Sequence, residues 1–355
     1  MHDPETPQSP PPRTPLPWWR PDIFAARLTN LRTRAAMTAA TRRFFADAGY
    51  VEVETPALQV SPGMEPHLTA FETALVAPDG GTVPIHLHTS PEFAMKKLLA
   101  AGMDRIFQLA RVYRNAERSP KHHPEFTMLE WYRTGAGWRD LAAETEALVR
   151  TATDGVLRYR GATADPRAPW EYLSVQDAFR RHADTDLLAT APDPARPDAG
   201  LLAAAAAPLG IRTHADDTWD DIFFRIFLER IEPRLGIGAP TVLHSYPASM
   251  AALARRSPED ERVADRFEIF VCGLELANGY GELTDPVEQR ARFASEIARR
   301  EALGRAAYPV DEDFMAAMES GLPACAGIAL GFDRLAMLAT GADRIEDVLW
   351  MPVAD

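Results

Sequence analysis

Apolar residues at Met37, Ala40, Phe44, Phe45 and Ala48 recur at helical spacing, and Gly49 follows where a left-handed residue ends a helix. Val51 and Val53 then alternate with Glu52 and Glu54, the period of a half-buried strand, which Pro56 ends or keeps on an edge. The string Ser90-Pro91-Glu92 predicts a helix start, with Ser90 as N-cap, Pro91 at N1, Glu92 in the first turn and Gly102 closing the helix. Two strands are expected at 105–114 and 126–133. Period-2 alternation in the second sets Phe126, Met128, Glu130 and Tyr132 on one face.

A hairpin is expected next, with strand 266–271, a two-residue turn at Cys272-Gly273 and a return strand from 274. Such a turn sets position 270 opposite 275, which makes Glu268 and Glu275 diagonal neighbours on one face. Two carboxylates so placed suit Mg²⁺, which takes one or two protein carboxylates and completes its shell on substrate phosphates. Gly279 is read as a bulge, after which Asn278, Tyr280 and Glu282 share a parity and line a pocket. Near the C-terminus, GIALGFDR at 327–334 alternates small residues along a strand that runs into a helix, and small side chains admit a ligand close to the backbone.

Composition narrows the class. An apolar content of 46% supports a sizeable core, and a formal net charge of −13 opposes a surface built for polyanions and suits a basic partner. Within this acidic chain the segment 114–123 concentrates Arg114, Arg118, Lys121, His122 and His123, the donors that triphosphate charge requires, on a loop able to close around it. The proline-saturated stretch at 1–22 has no apolar run for a signal peptide or a membrane span and reads as a disordered tail ahead of one domain at 23–355. A connection at 190–210 contains a short Ala-rich helix. Cys272 and Cys325 form neither a metal spacing nor a disulfide framework, as expected of buried thiols in a reducing cytoplasm. No GxxxxGK[ST] string is present.

Three segments, RRFFADAGYVEVETP at 42–56, RNAERSPKHHPEFTMLEWY at 114–132 and GIALGFDR at 327–334, together resemble motifs 1, 2 and 3 of class II aminoacyl-tRNA synthetase catalytic domains. TSPE at 89–92, HPEFTMLEWY at 123–132 and ELANGYGEL at 275–283 are similar to the lysyl branch. The resemblance implies an α+β catalytic domain, a mostly antiparallel sheet flanked by helices, and a homodimer joined through the first segment. It implies ATP and Mg²⁺ as cofactors and a lysine-type substrate converted to an aminoacyl-adenylate. Arg114 and Arg334 are then the catalytic cations, and Glu268 and Glu275 hold the metal. ATP meets Arg114, Glu117, His122, His123, Phe126, Glu275, Leu276, Gly331 and Arg334. Substrate meets Ser90, Glu92, Glu130, Tyr132, Asn278, Tyr280, Glu282 and Ala329, with Glu92 receiving the backbone-side amine, Asn278 the carboxylate, and Tyr132 and Glu282 the distal ammonium.

The chain departs from lysyl-tRNA synthetases in three respects. No anticodon-binding domain is expected ahead of the first motif, so tRNA is not the expected acceptor. Ala329 stands where those synthetases have Gly, as in the truncated paralogues that join (R)-β-lysine to a lysine of elongation factor P. Ala116 and His123 replace the Glu of RxE and the Asn of HNPEF in motif 2. The resemblance therefore implies elongation factor P as the acceptor protein, the alternatives being a truncated synthetase-like enzyme acting on tRNA or a small amine and an inactive paralogue that binds ATP or lysine.

Overall fold

The computed structural model describes residues 17–354. Helix α1 (Pro21–Asp47) begins inside the expected tail and well before Met37. Pro21 opens it with a preset φ and Asp22 in the first turn opposes the helix dipole, so a Pro-rich stretch hid a helix start. Residues 1–16 of that tail lie outside the described residues. Gly49, at φ +76°, follows the helix as expected.

The strands of the main sheet are, in chain order, β1 (Val51–Glu52), β2 (Arg105–Tyr113), β3 (Glu125–Thr134) and β4 (Glu171–Ser174). They continue with β5 (Thr241–Pro247), β6 (Val263–Val271), β7 (Leu274–Gly281) and β8 (Cys325–Gly331). The sheet is eight-stranded, in the order β1-β2-β3-β8-β7-β6-β5-β4. Only the edge pairings β1 with β2 and β5 with β4 are parallel, so the expected α+β class with a mostly antiparallel sheet is what the chain forms. The helices are α2 (Glu92–Ala100), α3 (Trp138–Ala152), α4 (Val175–Ala183), α5 (Ala199–Ala206), α6 (Trp219–Ile226), α7 (Pro286–Ala302), α8 (Glu312–Glu319) and α9 (Phe332–Thr340). α5 is the expected Ala-rich helix.

Alternation along the strands sorts the side chains. Leu129 and Trp131 of β3, Ile269 of β6, and Ile328 and Leu330 of β8 are buried on one face beneath α1, α3 and α9, where Phe45 stacks on Phe107 at 4.5 Å between ring centroids. A buried ion pair from Arg34 of α1 to Asp333 of α9 pins two of these helices together, and Asp333 also accepts the Thr127 N–H at 2.7 Å. The opposite face is covered only at its ends. α2, α7 and α8 close one end through Phe93, Phe293 and Phe314, and α4 and α6 close the other through Phe179 and Phe223.

At the β6–β7 turn, Cys272 (φ +55°) and Gly273 (φ +69°) both take the left-handed conformation of a type I′ hairpin, and Phe270 pairs with Glu275 as expected. The bulge lies at Leu276, because Ile269 pairs with Ala277 while Phe270 pairs with Glu275. The expectation of a bulge at Gly279 is thus corrected. Gly279 stays in register with Phe267 and Ile328, and a Cβ there would run into the Phe267 ring. A side chain is absent from that position to seat an aromatic, not to bend the strand.

Candidate active site

Between the covered ends of the sheet lies a cavity of about 460 Å³, within the size range of small-molecule sites. Strand register composes its floor. One row across the sheet runs Tyr132, Gly327, Tyr280, Arg266, and the next runs Glu130, Ala329, Asn278, Glu268. The predicted face of β3 and the shared parity of Asn278 and Tyr280 therefore meet across four strands.

One end of the cavity is anionic. The Glu130 carboxylate accepts from the Ser90 hydroxyl at 2.6 Å and from Tyr132 at 3.1 Å. Burial and then the nearby Glu92 push Glu130 up to about 8, so it is mainly protonated at neutral pH. Ser90 accepts the Glu92 N–H at 3.1 Å, but the helix starts at Glu92 with Pro91 in the cap position, one residue later than expected. Asn278 donates to the Tyr280 hydroxyl at 3.2 Å, and its Oδ1 has no hydrogen-bond partner.

Behind this end sits Lys96, which the sequence reading did not single out. It is 1% exposed, and its ammonium lies 2.5 Å from Glu92 and 2.6 Å from Glu282. Burial alone would pull Lys96 down, but the two carboxylates outweigh it and hold the group above its ordinary value. Glu282, pushed up to about 7 by burial against the opposing pull of Lys96, keeps Oε1 without a partner. Glu92 at i and Lys96 at i+4 are legible as a helix pair. The third member, far along the chain, is not.

Glu65 was missed as well. It lines the cavity beside Ser90, Glu92 and Arg114. Its only sequence signal is an acid between Met64 and Pro66 in a loop.

The opposite end is cationic. The Arg114 guanidinium lies 5.2 Å from the centre of the Phe126 ring. Arg334 donates to the Glu275 carbonyl at 2.8 Å and to His122 Nε2 at 2.9 Å, and stands 3.5 Å from the Glu275 carboxylate. Burial and then Arg334 push His122 down to about 4, which leaves its imidazole neutral and able to accept. Glu117, Leu276, Ala329 and Gly331 also line the cavity. His123 reaches the wall, but Glu125 O lies 2.6 Å from its Nδ1 and the Val353 N–H donates to its Nε2 at 3.2 Å. Both ring nitrogens are thus taken by backbone, and His123 ties the C-terminal segment to the loop.

Glu130, Tyr132, Glu268 and Glu282 are buried behind the wall. Glu268 pairs with Arg266 at 2.7 Å; burial raises its carboxyl, with Glu275 adding to the rise against Arg266. The two expected metal-binding acids therefore do sense each other. No group of three or more His, Cys, Asp or Glu able to hold a metal occurs among the described residues.

Residues 25–355 match the family described as tRNA synthetases class II (D, K and N). The chain belongs to this family. It is 42% identical over 338 residues to the elongation factor P (R)-beta-lysine ligase of Proteus mirabilis, covering 94% of this chain and 97% of that one. The protein of the same name from Klebsiella pneumoniae is 43% identical over 334 residues, 93% of this chain and 96% of its own. That from Salmonella typhimurium is 42% identical over the same length. In this class II synthetase domain the three motif segments are α1 with β1, the β2–β3 hairpin with its loop, and β8 with α9. No helix among the described residues is long and apolar enough to cross a membrane.

Gly327 carries a testable constraint. A Cβ there would overlap the Tyr132 ring and come within 2.6 Å of Glu282 Oε1. Gly327→Ala is expected to destabilise the protein by about 1–3 kcal/mol, as overpacking does. A thermal melt checks it, and an unchanged midpoint would show that Tyr132 and Glu282 move aside freely.

Proposed function

We propose that this protein is an ATP-dependent ligase that activates (R)-β-lysine as an aminoacyl-adenylate and transfers it to a lysine of elongation factor P. The observation that carries the reading is the polarity of the cavity, with Glu92 on the wall and Glu282 buried behind it at one end and Arg114 and Arg334 at the other. A diamino acid and a nucleoside triphosphate would lie head to head across it, so that the carboxylate meets the phosphates near the middle. The names and coverage of the relatives support the substrate and the acceptor.

In the first step a carboxylate oxygen attacks the α-phosphorus, the new C–O–P linkage forms, the α–β phosphoanhydride breaks and pyrophosphate leaves. In the second, a neutral lysine amine of the acceptor attacks the activated carbonyl. The amide forms, the carbonyl–O–P link breaks to release AMP, and one proton passes to solvent. The chain's residues align and neutralise, and none acts as a nucleophile. Phe126 would stack on adenine, Arg114 and Arg334 would hold phosphate oxygens, and Asn278 would orient the carboxylate. Tyr132 and the unpartnered Oε1 of Glu282 would receive the distal ammonium. Mg²⁺ would be held by Glu275 on the cavity wall with Glu268 behind it, two carboxylates that influence each other, and when bound would neutralise phosphate charge. The same reading implies a homodimer. Val51, Leu58 and Val60, apolar and exposed near the β1 edge, would be covered by the second copy.

The test is amino-acid-dependent exchange of pyrophosphate into ATP, followed by the mass gain on the elongation factor P lysine. Norleucine, which lacks the distal ammonium, is expected to fail. Transfer to tRNA but not to the protein would move the reading to a tRNA-charging enzyme.

Ala329 sets a further expectation. Its methyl stands on the floor between Glu130 and Asn278, where it would crowd an α-amine and leave room for a β-amine. Ala329→Gly is expected to shift preference from β-lysine toward α-lysine by about 10- to 100-fold, the range of one methyl in a pocket. Exchange with both substrates on both proteins measures it, and an unchanged ratio removes Ala329 as a determinant.

A further inference from the structure

Of the carboxylates around the anionic end, three already have partners. Glu92 and Glu282 share the Lys96 ammonium, and Glu130 accepts from Ser90 and Tyr132. Glu65 has no side-chain partner of this kind, only the backbone N–H groups of Met64 and Glu65 in its own loop. Its Oε2 is shut off from solvent without a hydrogen-bond partner, and no ion pair to Glu65 occurs among the described residues. It reaches the cavity wall beside Ser90, Glu92 and Arg114. A buried carboxylate oxygen left without a donor is costly unless something supplies one.

Charge and position both indicate what that donor is. A diamino acid held as its adenylate brings two ammonium groups. Glu282, pushed up to about 7, is part protonated at neutral pH, so Glu92, Glu282 and Lys96 together carry at most one net negative charge, and Glu130 is mainly protonated. One further anion is needed. Burial, then Glu92, raises the Glu65 carboxyl, while Arg114 opposes the rise, so Glu65 lies within electrostatic reach of both. Lys96 and Glu92 are the charges that Glu282 senses. Glu65 lines the cavity together with Arg114 of the phosphate end, whereas Glu282 lies off the wall against Lys96.

We propose that Glu65 joins Glu92 as an acceptor for the substrate's proximal amine, the one nearest the reacting carboxylate, and that Glu65 is the residue that separates diamino acids from amino acids bearing only the distal amine. The assignment rests on the ligase reading above. It gives Glu65 an ammonium hydrogen bond in the loaded enzyme and accounts for the empty Oε2.

The experiment compares β-lysine with 6-aminohexanoate, which keeps the carboxylate and the distal amine but has no proximal one. Pyrophosphate exchange is measured for both on the wild-type protein and on Glu65→Gln, a variant of nearly the same shape without the charge. Wild type is expected to prefer β-lysine. Glu65→Gln is expected to lose about 10- to 100-fold of that preference, the worth of a hydrogen bond to a charged group. The loss should appear in the KM for β-lysine, with the KM for ATP and the rate with 6-aminohexanoate unchanged. A retained preference in Glu65→Gln overturns the assignment. So does an equal loss for both substrates, because that would mark a structural role. If the Gln variant gives no cooperative melt, Glu65→Asp is measured instead. Its shortened carboxylate should lose part of the preference, and full retention counts against the proposal. Absence of any β-lysine exchange in the wild type would instead sink the ligase reading itself, so the two failures are distinct.

Discussion

Replacing Lys96 by Met is expected to destabilise the protein by about 3–5 kcal/mol, the cost of breaking a buried ion pair by removing one partner. Met keeps the length and apolar body of the side chain, so the change isolates the charge. Without the ammonium, Glu92 and Glu282 face each other with no cation between them, and Lys96 is what opposes the rise of Glu282 above about 7. The pH dependence follows from the direction of that shift. A carboxyl whose folded-state pKa is raised binds its proton more tightly in the folded protein, so stability falls as pH rises from the unfolded value toward the folded one. In Lys96→Met the folded value climbs further. The deficit relative to wild type should thus be small near pH 5 and larger near pH 8. Urea denaturation at both values measures it, with an unchanged m-value as the check on two-state behaviour. An equal deficit at both pH values would mean that the loss comes from packing.

Lys96 also marks a limit on reading this fold from the chain. Local signals placed most elements well, because they need only neighbours. The period-2 face of β3, the Cys272-Gly273 turn and the pairing of Phe270 with Glu275 are each set by local geometry. What failed depended on contacts distant in sequence. Lys96 on an amphipathic helix resembles any solvated lysine until Glu282 arrives from the end of β7. Gly279 fits a bulge as well as a close approach until Phe267 is seen against it. His123 looks like one more cation in a phosphate loop, and only the Val353 N–H shows that its ring is occupied. α1 was cut short for a different reason, since proline-rich composition outweighed a proline suited to the first turn of a helix. The candidate site was legible where motif strings named its residues, and its internal cation and the unpartnered Glu65 were not.

The largest effect on activity is expected at Arg334. Its guanidinium is held in place by the Glu275 carbonyl and by the neutral imidazole of His122, whose Nδ1 lies 2.8 Å from the Ser119 hydroxyl. A donor fixed in place needs no reorganisation as charge develops on the phosphates, and removing one such group costs about 10²–10³ in rate. Arg334→Ala should therefore lose about that much pyrophosphate exchange, mainly in kcat. The melting temperature should move little, because the Arg334 guanidinium lines the cavity, bonded to His122 of the loop and to a single strand carbonyl, and is not packed in the core. His122→Ala leaves the guanidinium in place and only loosens it, so a smaller loss is expected. Because burial and Arg334 push His122 down to about 4, exchange by the wild type should show no histidine-like transition attributable to it between about pH 5 and 8, the range where an unperturbed imidazole would change charge. If Arg334→Ala exchanges pyrophosphate at the wild-type rate, the guanidinium does not meet the phosphates, and the cationic end of the cavity must serve another ligand.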